Sequence, residues 1–248
     1  EEEMPVMYCA RDKYTSGYRV PGHVAAGDTL TMTAYLSVTP VLPGHRAQHK
    51  FLTEAWNMAE KTSPHVHTPA DLWEYGLQYA ENMLYSEEGN FAGFTIGYSP
   101  DENNEIQRRR GYEIGWCGQN ASFANSMLAD YLRHGNESRR DKGMKVLDSW
   151  AALAPLSNGL FITNYDRVIG LDTIPSALVF DACNLGTAAL NYFEAADLAK
   201  ACGYKRDNFE QIAYRICDFV RDDQQQSGVY GRGWHPDGTC YVREGTIG

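Results

Sequence analysis

Gly159-Leu160-Phe161-Ile162-Thr163-Asn164-Tyr165-Asp166 is the stretch whose reading decides the fold. It follows a segment with helical periodicity and runs glycine, short apolar stretch, aromatic, aspartate. The same order occurs earlier as Gly93-Phe94-Thr95-Ile96-Gly97-Tyr98-Ser99-Pro100-Asp101. It occurs later as Gly228-Val229-Tyr230-Gly231-Arg232-Gly233-Trp234-His235-Pro236-Asp237. The leading glycines stand 66 and 69 residues apart. A near-constant period means one supersecondary unit used repeatedly, as in helical solenoids and toroids.

The segments between the repeats are of two kinds. Residues 120–133 and 182–201 are rich in Ala, Gly, Ser and Asn, and small side chains allow close approach on several sides. Residues 138–153 and 206–221 are amphipathic. In the second, Phe209, Ile212, Ala213, Ile216, Cys217 and Val220 form one apolar stripe. The first kind is expected inside and the second outside. Tetratricopeptide-like arrays have periods of about 34 to 47 residues with short connections. Here roughly 20 to 30 further residues join each outer helix to the next inner one. These connections are expected to open on one end of the inner helices, where binding and catalysis concentrate.

Upstream, Thr68-Pro69 is a helix start, a capping hydroxyl followed by proline at the first helical position. The helix it opens is expected to reach about Tyr85. Before that, Phe51, Leu52, Ala55, Trp56 and Ala59 share a helical face. Residues 29–38 alternate apolar and hydroxyl side chains at period two after Ala26-Gly27-Asp28, the pattern of a strand. The expected organisation is a β segment with linker over residues 1–48 and a helical-hairpin domain over 49–248. The fold class is therefore all-α, an array of αα-hairpins with a short N-terminal β segment.

Composition narrows the function. With 22 Lys and Arg against 32 Asp and Glu, the net charge of −10 argues against a nucleic-acid partner, whose phosphates need cationic neutralisation. No apolar run approaches the roughly 20 residues of a membrane span. Six scattered cysteines without a C-x-x-C pair lean towards a reducing compartment, although an even count also permits disulfides. The sequence opens on Glu1-Glu2-Glu3, so any export signal is expected to be absent or already removed. His45 and His49, or His65 and His67, lack a companion set of ligands, so no metal is expected. No phosphate loop, dinucleotide fingerprint or nucleophile elbow is present, and no cofactor is expected.

The loop Gly111-Tyr112-Glu113-Ile114-Gly115-Trp116-Cys117-Gly118-Gln119-Asn120 gathers an acid, two aromatics and two amides at the start of an inner helix. With the outer helices, glycine-led strands and acid-bearing connections, it resembles the six-hairpin glycosidase-like (α/α)6 toroids. The resemblance covers about residues 50–248 and rests on architecture. It implies a carbohydrate-active enzyme, a glycoside hydrolase or polysaccharide lyase, and a preceding β-sandwich of which residues 1–60 look like the trailing edge. A complete toroid has twelve helices, whereas six or seven are legible. The chain is accordingly expected to belong to a longer polypeptide, with an oligomer as an alternative.

Hydrolysis of a glycoside uses two carboxyl groups across the scissile bond, about 5 Å apart or roughly 6.5 to 9.5 Å apart according to stereochemistry. The candidates are Glu113, flanked by apolar neighbours or else paired with an arginine, Asp166 at the repeat's acid position or else a turn carboxylate, and Glu244 beside Arg243. Asp181, where an inner helix starts, reads as its N-cap. For the sugar, Trp116 and Trp234 offer stacking faces unless they are core. Tyr112, Tyr165, Gln119, Asn120 and His235 offer hydrogen bonds, His235 either paired with Asp237 or in a structural turn. Arg108-Arg109-Arg110 is either solvated or a clamp for a sugar carboxylate, with Arg110 nearest the loop. A lyase would instead use Tyr112 or His235 as base beside the arginines. A glycan-binding module would keep the tryptophans without converging acids.

Overall fold

The structure, a computed structural model, describes residues 25–29, 31, 46–58, 67–100, 106–115, 119–168, 170 and 180–243, and for 46–51, 99, 100 and 106 their backbone alone. The chain divides into two compact units, Glu1–Pro64 and His65–Gly248. Described residues of the first unit form helix α1 (Arg46–Met58) and a turn at Ala26-Gly27. The division places α1 with the residues before it, whereas the sequence places 49–58 with the hairpins. The strand expected over 29–38 falls almost entirely outside the described residues.

The second unit begins with α2 (Pro69–Tyr79), opened by a capping box in which the Thr68 hydroxyl accepts from Asp71 N and the Asp71 carboxylate accepts from Thr68 N. A π-helical turn (Ala80–Leu84) follows, then hairpin β1 (Tyr85–Glu88) and β2 (Phe91–Phe94). A second hairpin, β3 (Tyr98–Pro100) with β4 (Ile106–Arg108), leads to β5 (Gly111–Glu113). Next come α3 (Asn120–His134), α4 (Glu137–Leu153), β6 (Asn164–Asp166) and β7 (Phe180–Asp181). The order closes with α5 (Ala182–Ala201), α6 (Asp207–Asp223), β8 (Gly233–Trp234) and β9 (Cys240–Val242). The helix limits read from periodicity hold to within two residues, for the first helix only when the π-helical turn that ends it at Leu84 is counted.

Helices pair as expected: α3 with α4, α5 with α6, and the two small-residue helices α3 and α5 with each other. Close packing requires the glycine at 143, where a Cβ would lie 2.8 Å from the Ala124 carbonyl of α3. The arrangement is thus a mostly helical array of αα-hairpins.

The repeat has a different register from the one the sequence suggests. After α4, Leu156 N donates to Leu160 O and Gly159 N to Leu156 O. After α6, Gln225 N donates to Val229 O and Gly228 N to Gln225 O. Gly159 and Gly228 sit at φ +95° and +88°, which only glycine adopts without strain. The matching glycine in the first repeat is Gly89, at φ +58° in the β1–β2 turn. Gly93 lies inside β2, where a Cβ would meet Phe91 and Tyr112. The turn glycines are therefore 70 and 69 residues apart.

Each hairpin is closed by strand pairing across its end. The strand before an inner helix pairs antiparallel with the strand after the following outer helix, β5 with β6 and β7 with β8. Aromatic rings run from one hairpin to the next. Phe91 touches Tyr112, Trp150 and Tyr165 edge-on, Trp150 stacks on Phe161, and Tyr192 bridges Phe161 and Phe209.

An ionic node joins α2, α3 and α4 at the other end. The Arg139 side chain, 6% exposed, donates to Asp130 (3.0 Å), Glu74 (2.7 and 2.8 Å) and Glu81 (3.3 Å), and Lys142 also pairs with Glu81. Burial alone would raise the Asp130 pKa, but hydrogen bonds with His134, Trp73 and Arg139 outweigh it and hold the carboxyl below its ordinary range. Hydrogen bonds, led by that from Arg139, lower Glu74. At Glu81, burial is again outweighed, here by Lys142 and Arg139. Carboxyls depressed in the folded state contribute stability above their unfolded pKa and lose it as pH falls through the folded value. Thermal melts from about pH 6 to about pH 3 should therefore show a steep loss. Arg139→Met, leaving Asp130 buried without its cation, should cost about 3–5 kcal/mol at neutral pH and flatten that acid loss. A melting profile parallel to the parent's would contradict the assignment.

Candidate functional site

The loop before α3 folds back on β6, and the β5–β6 register pairs Gly111 with Asp166, Tyr112 with Tyr165 and Glu113 with Asn164. Side chains alternate across a two-stranded ribbon, so one face carries both tyrosines and the other carries Glu113, Asn164 and Asp166. Burial follows that alternation. Tyr112 and Tyr165 are fully in the core, and the residues on either side of each are half-buried. Asn164 Nδ2 donates to Glu113 Oε1 at 3.2 Å. Glu113 and Asp166 occupy diagonal positions on this half-buried face, a relation that separates side-chain origins by about 7–8 Å.

The ribbon stands at the N-terminal end of α3. Ile114 N donates to Thr163 O, while Thr95 bridges to Tyr112 and Ile96 N donates to Gly111 O. The third connection reaches the corresponding end of α5, where Ala182 N donates to Arg232 O. All three connections thus meet the inner helices at their positive dipole ends.

Several residues expected to hold a ligand hold the fold instead. Asn120 is wholly buried; its Oδ1 accepts from Phe94 N (2.7 Å) and Trp150 Nε1 (3.3 Å), and its Nδ2 donates to Phe94 O (2.8 Å) and Glu113 O (2.7 Å). One amide at the start of α3 thereby fastens β2, β5 and α4, leaving nothing for a sugar. Tyr112 packs on Phe91, and its hydroxyl bonds Ser86 and Glu88. Burial is the largest influence on its phenol and pushes the pKa up, the wrong direction for a lyase base. Tyr165 lies among Phe91 and Trp150, and burial drives its phenol well above the ordinary value. Trp234 is sealed against Phe219, with Gly231 so close that a Cβ would meet its ring at 2.6 Å. A ring without an exposed face cannot stack on a sugar.

Others keep access. Gln119 sits at φ +48°, the one non-glycine in the left-handed region among the described residues, and its Oε1 accepts from Ser122 Oγ. Such backbone costs about 1 kcal/mol or more and here turns the chain from loop into helix. Arg110 is exposed, 4.0 Å from Asp166. Asp166 Oδ1 accepts from Val168 N, the turn role that was its alternative. In the arginine triplet, Arg108 is tied to Tyr85 O. His235 lies in the β8–β9 turn with its ring edge-on to Tyr241, and Asp237 accepts from Thr239 N, so the pair is built into a turn. Asp223, at the end of α6, is gripped by Arg243 and Gly231 N. Trp116 and Glu244 lie outside the described residues.

Two residues were not singled out from the sequence. Asn164 reads as one polar position in a repeat and gains meaning only from the register that sets it opposite Glu113. Asn184, in the first turn of α5, bonds Asp181 through both its N–H and its Nδ2, each at 2.8 Å, so Asp181 is the N-cap expected. A hollow of 750 Å³ lined by Phe193, Lys200, Tyr204 and Arg206 lies instead at the α5–α6 turn and contains none of the expected site residues.

Comparison with solved structures finds a likeness to a sugar epimerase from a ruminal bacterium, with a TM-score of 0.52 and 13% identity. It covers 72% of this chain and 43% of that one. Cellobiose 2-epimerase from Bacillus thermoamylovorans aligns with a TM-score of 0.48 and 11% identity over 67% of this chain and 39% of that one. No family model and no curated protein matches the sequence. The first likeness establishes the fold, an array of helical hairpins; this chain spans under half of that epimerase's length.

Two consequences can be measured by urea denaturation. Asn120→Ala strands the backbone groups of Phe94 and Glu113 and should cost about 3 kcal/mol or more. Gly115→Ala puts a Cβ 2.7 Å from that of Thr187 on α5 and should cost about 1–3 kcal/mol. Gly186→Ala, with nothing within 4 Å, should instead stabilise α5 by about 0.5–1 kcal/mol. Equal effects at the two glycines would contradict the packing of the loop on α5.

Proposed function

We propose that this chain is a carbohydrate-active enzyme that hydrolyses glycosidic bonds of an oligo- or polysaccharide at the open face of the β5–β6 ribbon. The observation that carries the reading is the alternation along that ribbon. It commits the tyrosines to the core and leaves Glu113, Asn164 and Asp166 together at the mouth of an inner helix. Attack by water needs two carboxyl groups with room for that water between them, and Glu113 has a second acid, Asp166, diagonally across the ribbon. Asn164 orients the Glu113 carboxyl, Gln119 lies at the helix mouth, and Arg110 adds a cation beside Asp166. Trp116 and Glu244 remain proposed parts of the same site as a stacking face and a further acid.

The fold likeness to a sugar epimerase supports a carbohydrate substrate and favours a second reading. Epimerisation removes a proton from a sugar carbon and returns one to the opposite face, with no glycosidic bond broken. A lyase is less well supported, because the buried Tyr112 is a poor base.

The products separate these readings. Hydrolysis gives new reducing ends without new ultraviolet absorbance, elimination gives absorbance from a double bond, and epimerisation gives a second sugar of unchanged mass. Glu113→Gln should lower hydrolysis about 10²–10⁴-fold, the range for losing a general acid or base, with its melting temperature and sugar affinity near the parent's. Turnover unchanged by that substitution would remove Glu113 from the mechanism.

A further inference from the structure

The two ribbons share a design that extends the site. In β5–β6 a buried aromatic pair, Tyr112 with Tyr165, is followed by Glu113. In β7–β8 a buried aromatic pair, Phe180 with Trp234, is followed by Asp181. Each acid is the last residue of its strand, on the side opposite the buried rings, at the N-terminal end of an inner helix. The residue facing Glu113 across the ribbon is Asn164. The residue facing Asp181 is Gly233, which places no side chain over the carboxyl.

Contacts carry the chain of proximity from one acid to the other. Gly115, two residues beyond Glu113, presses on α5 so closely that a Cβ there would lie 3.0 Å from Asn184 Oδ1. Asn184 Nδ2 in turn donates to Asp181 Oδ2. Asn184 is 4% exposed, and its Oδ1 has no hydrogen-bond donor among the described residues. A buried amide oxygen without a donor is costly, and a hydroxyl of a bound sugar would supply one.

We propose that Asp181, rather than Asp166 with its turn bond to Val168 N, is the carboxyl group that works opposite Glu113, with Asn184 accepting a substrate hydroxyl between them. The assignment rests on the hydrolase reading. One carboxyl gives its proton to the glycosidic oxygen as the bond from that oxygen to the sugar carbon breaks. The other takes a proton from the water whose oxygen forms the new bond to that carbon, so one water is added in all. The N-cap role of Asp181 is compatible with this, because Asn184 holds the carboxylate in a fixed orientation.

The test uses the full chain and release of 4-nitrophenol from a panel of 4-nitrophenyl glycosides. Asparagine caps helices as well as aspartate does, so Asp181→Asn keeps the bond from Asn184 N and gives up only that from Asn184 Nδ2, and a purely structural Asp181 would leave kcat within a few-fold of the parent's. The expected result is a kcat lower by about 10³-fold, within the range for a general acid or base, at an unchanged melting temperature. Asn184→Leu is expected to raise KM more than it lowers kcat. Asp181→Asn at the parental rate, with Glu113→Gln inactive, overturns this assignment and leaves the hydrolase reading standing. Activity surviving in Glu113→Gln as well, or a parent chain silent across the panel, overturns both.

Discussion

Strand pairing across the open end of each helical hairpin is the constraint from which the rest follows. An αα-hairpin alone leaves its inner and outer helices free to splay where the long connections leave them. Here the strand entering each inner helix is hydrogen-bonded to the strand leaving the next outer helix, so the two ends cannot separate. A ribbon has only two faces. Once Tyr112, Tyr165, Phe180 and Trp234 take the core face, the residues next to them are obliged to face the other way. The location of Glu113 and Asp181 is therefore a by-product of aromatic packing.

The packing itself is continuous. Rings from Tyr112 to Phe209 link the first hairpin to the second through Phe91, Trp150, Phe161 and Tyr192, and the Tyr192 hydroxyl donates to Leu147 O across the hairpins. At the opposite end the helices are held by charge, with Arg139 between Asp130, Glu74 and Glu81. Asn120 sits where the first ribbon meets its inner helix and serves strand and helix at once. The buried ionic node thus sits at the end away from the ribbons, where the ion pairs of Arg110 with Asp166 and Arg243 with Asp223 are more exposed.

Much of the fold was legible because its signals are local. Small-residue and amphipathic segments have different periodic signatures, and Thr68-Pro69 marks a helix start by chemistry alone. The repeat was legible in period and misread in register. Gly93 and Gly159 both lead apolar runs, yet only backbone angles reveal that the turn glycine of the first unit is Gly89. The site was legible as a place rather than as a set of roles. Amides and aromatics at a helix mouth have the composition of a sugar site. The same composition serves a buried junction, and whether Asn120 or Trp234 faces ligand or core depends on a strand register that a single sequence does not display. Asn164 was invisible for that reason, whereas Asp181 was read correctly as a cap.

The proposed carbohydrate chemistry lies at one end of the inner helices, between two acid-tipped ribbons. The most direct measurement is difference density from crystals of this chain soaked with a mixture of oligosaccharides. The account predicts a sugar ring in contact with the Glu113 and Asp181 carboxyls and a hydroxyl within hydrogen-bonding distance of Asn184 Oδ1. A sugar bound instead at the α5–α6 turn, beside Lys200 and Arg206, with the ribbon face unchanged, would contradict it.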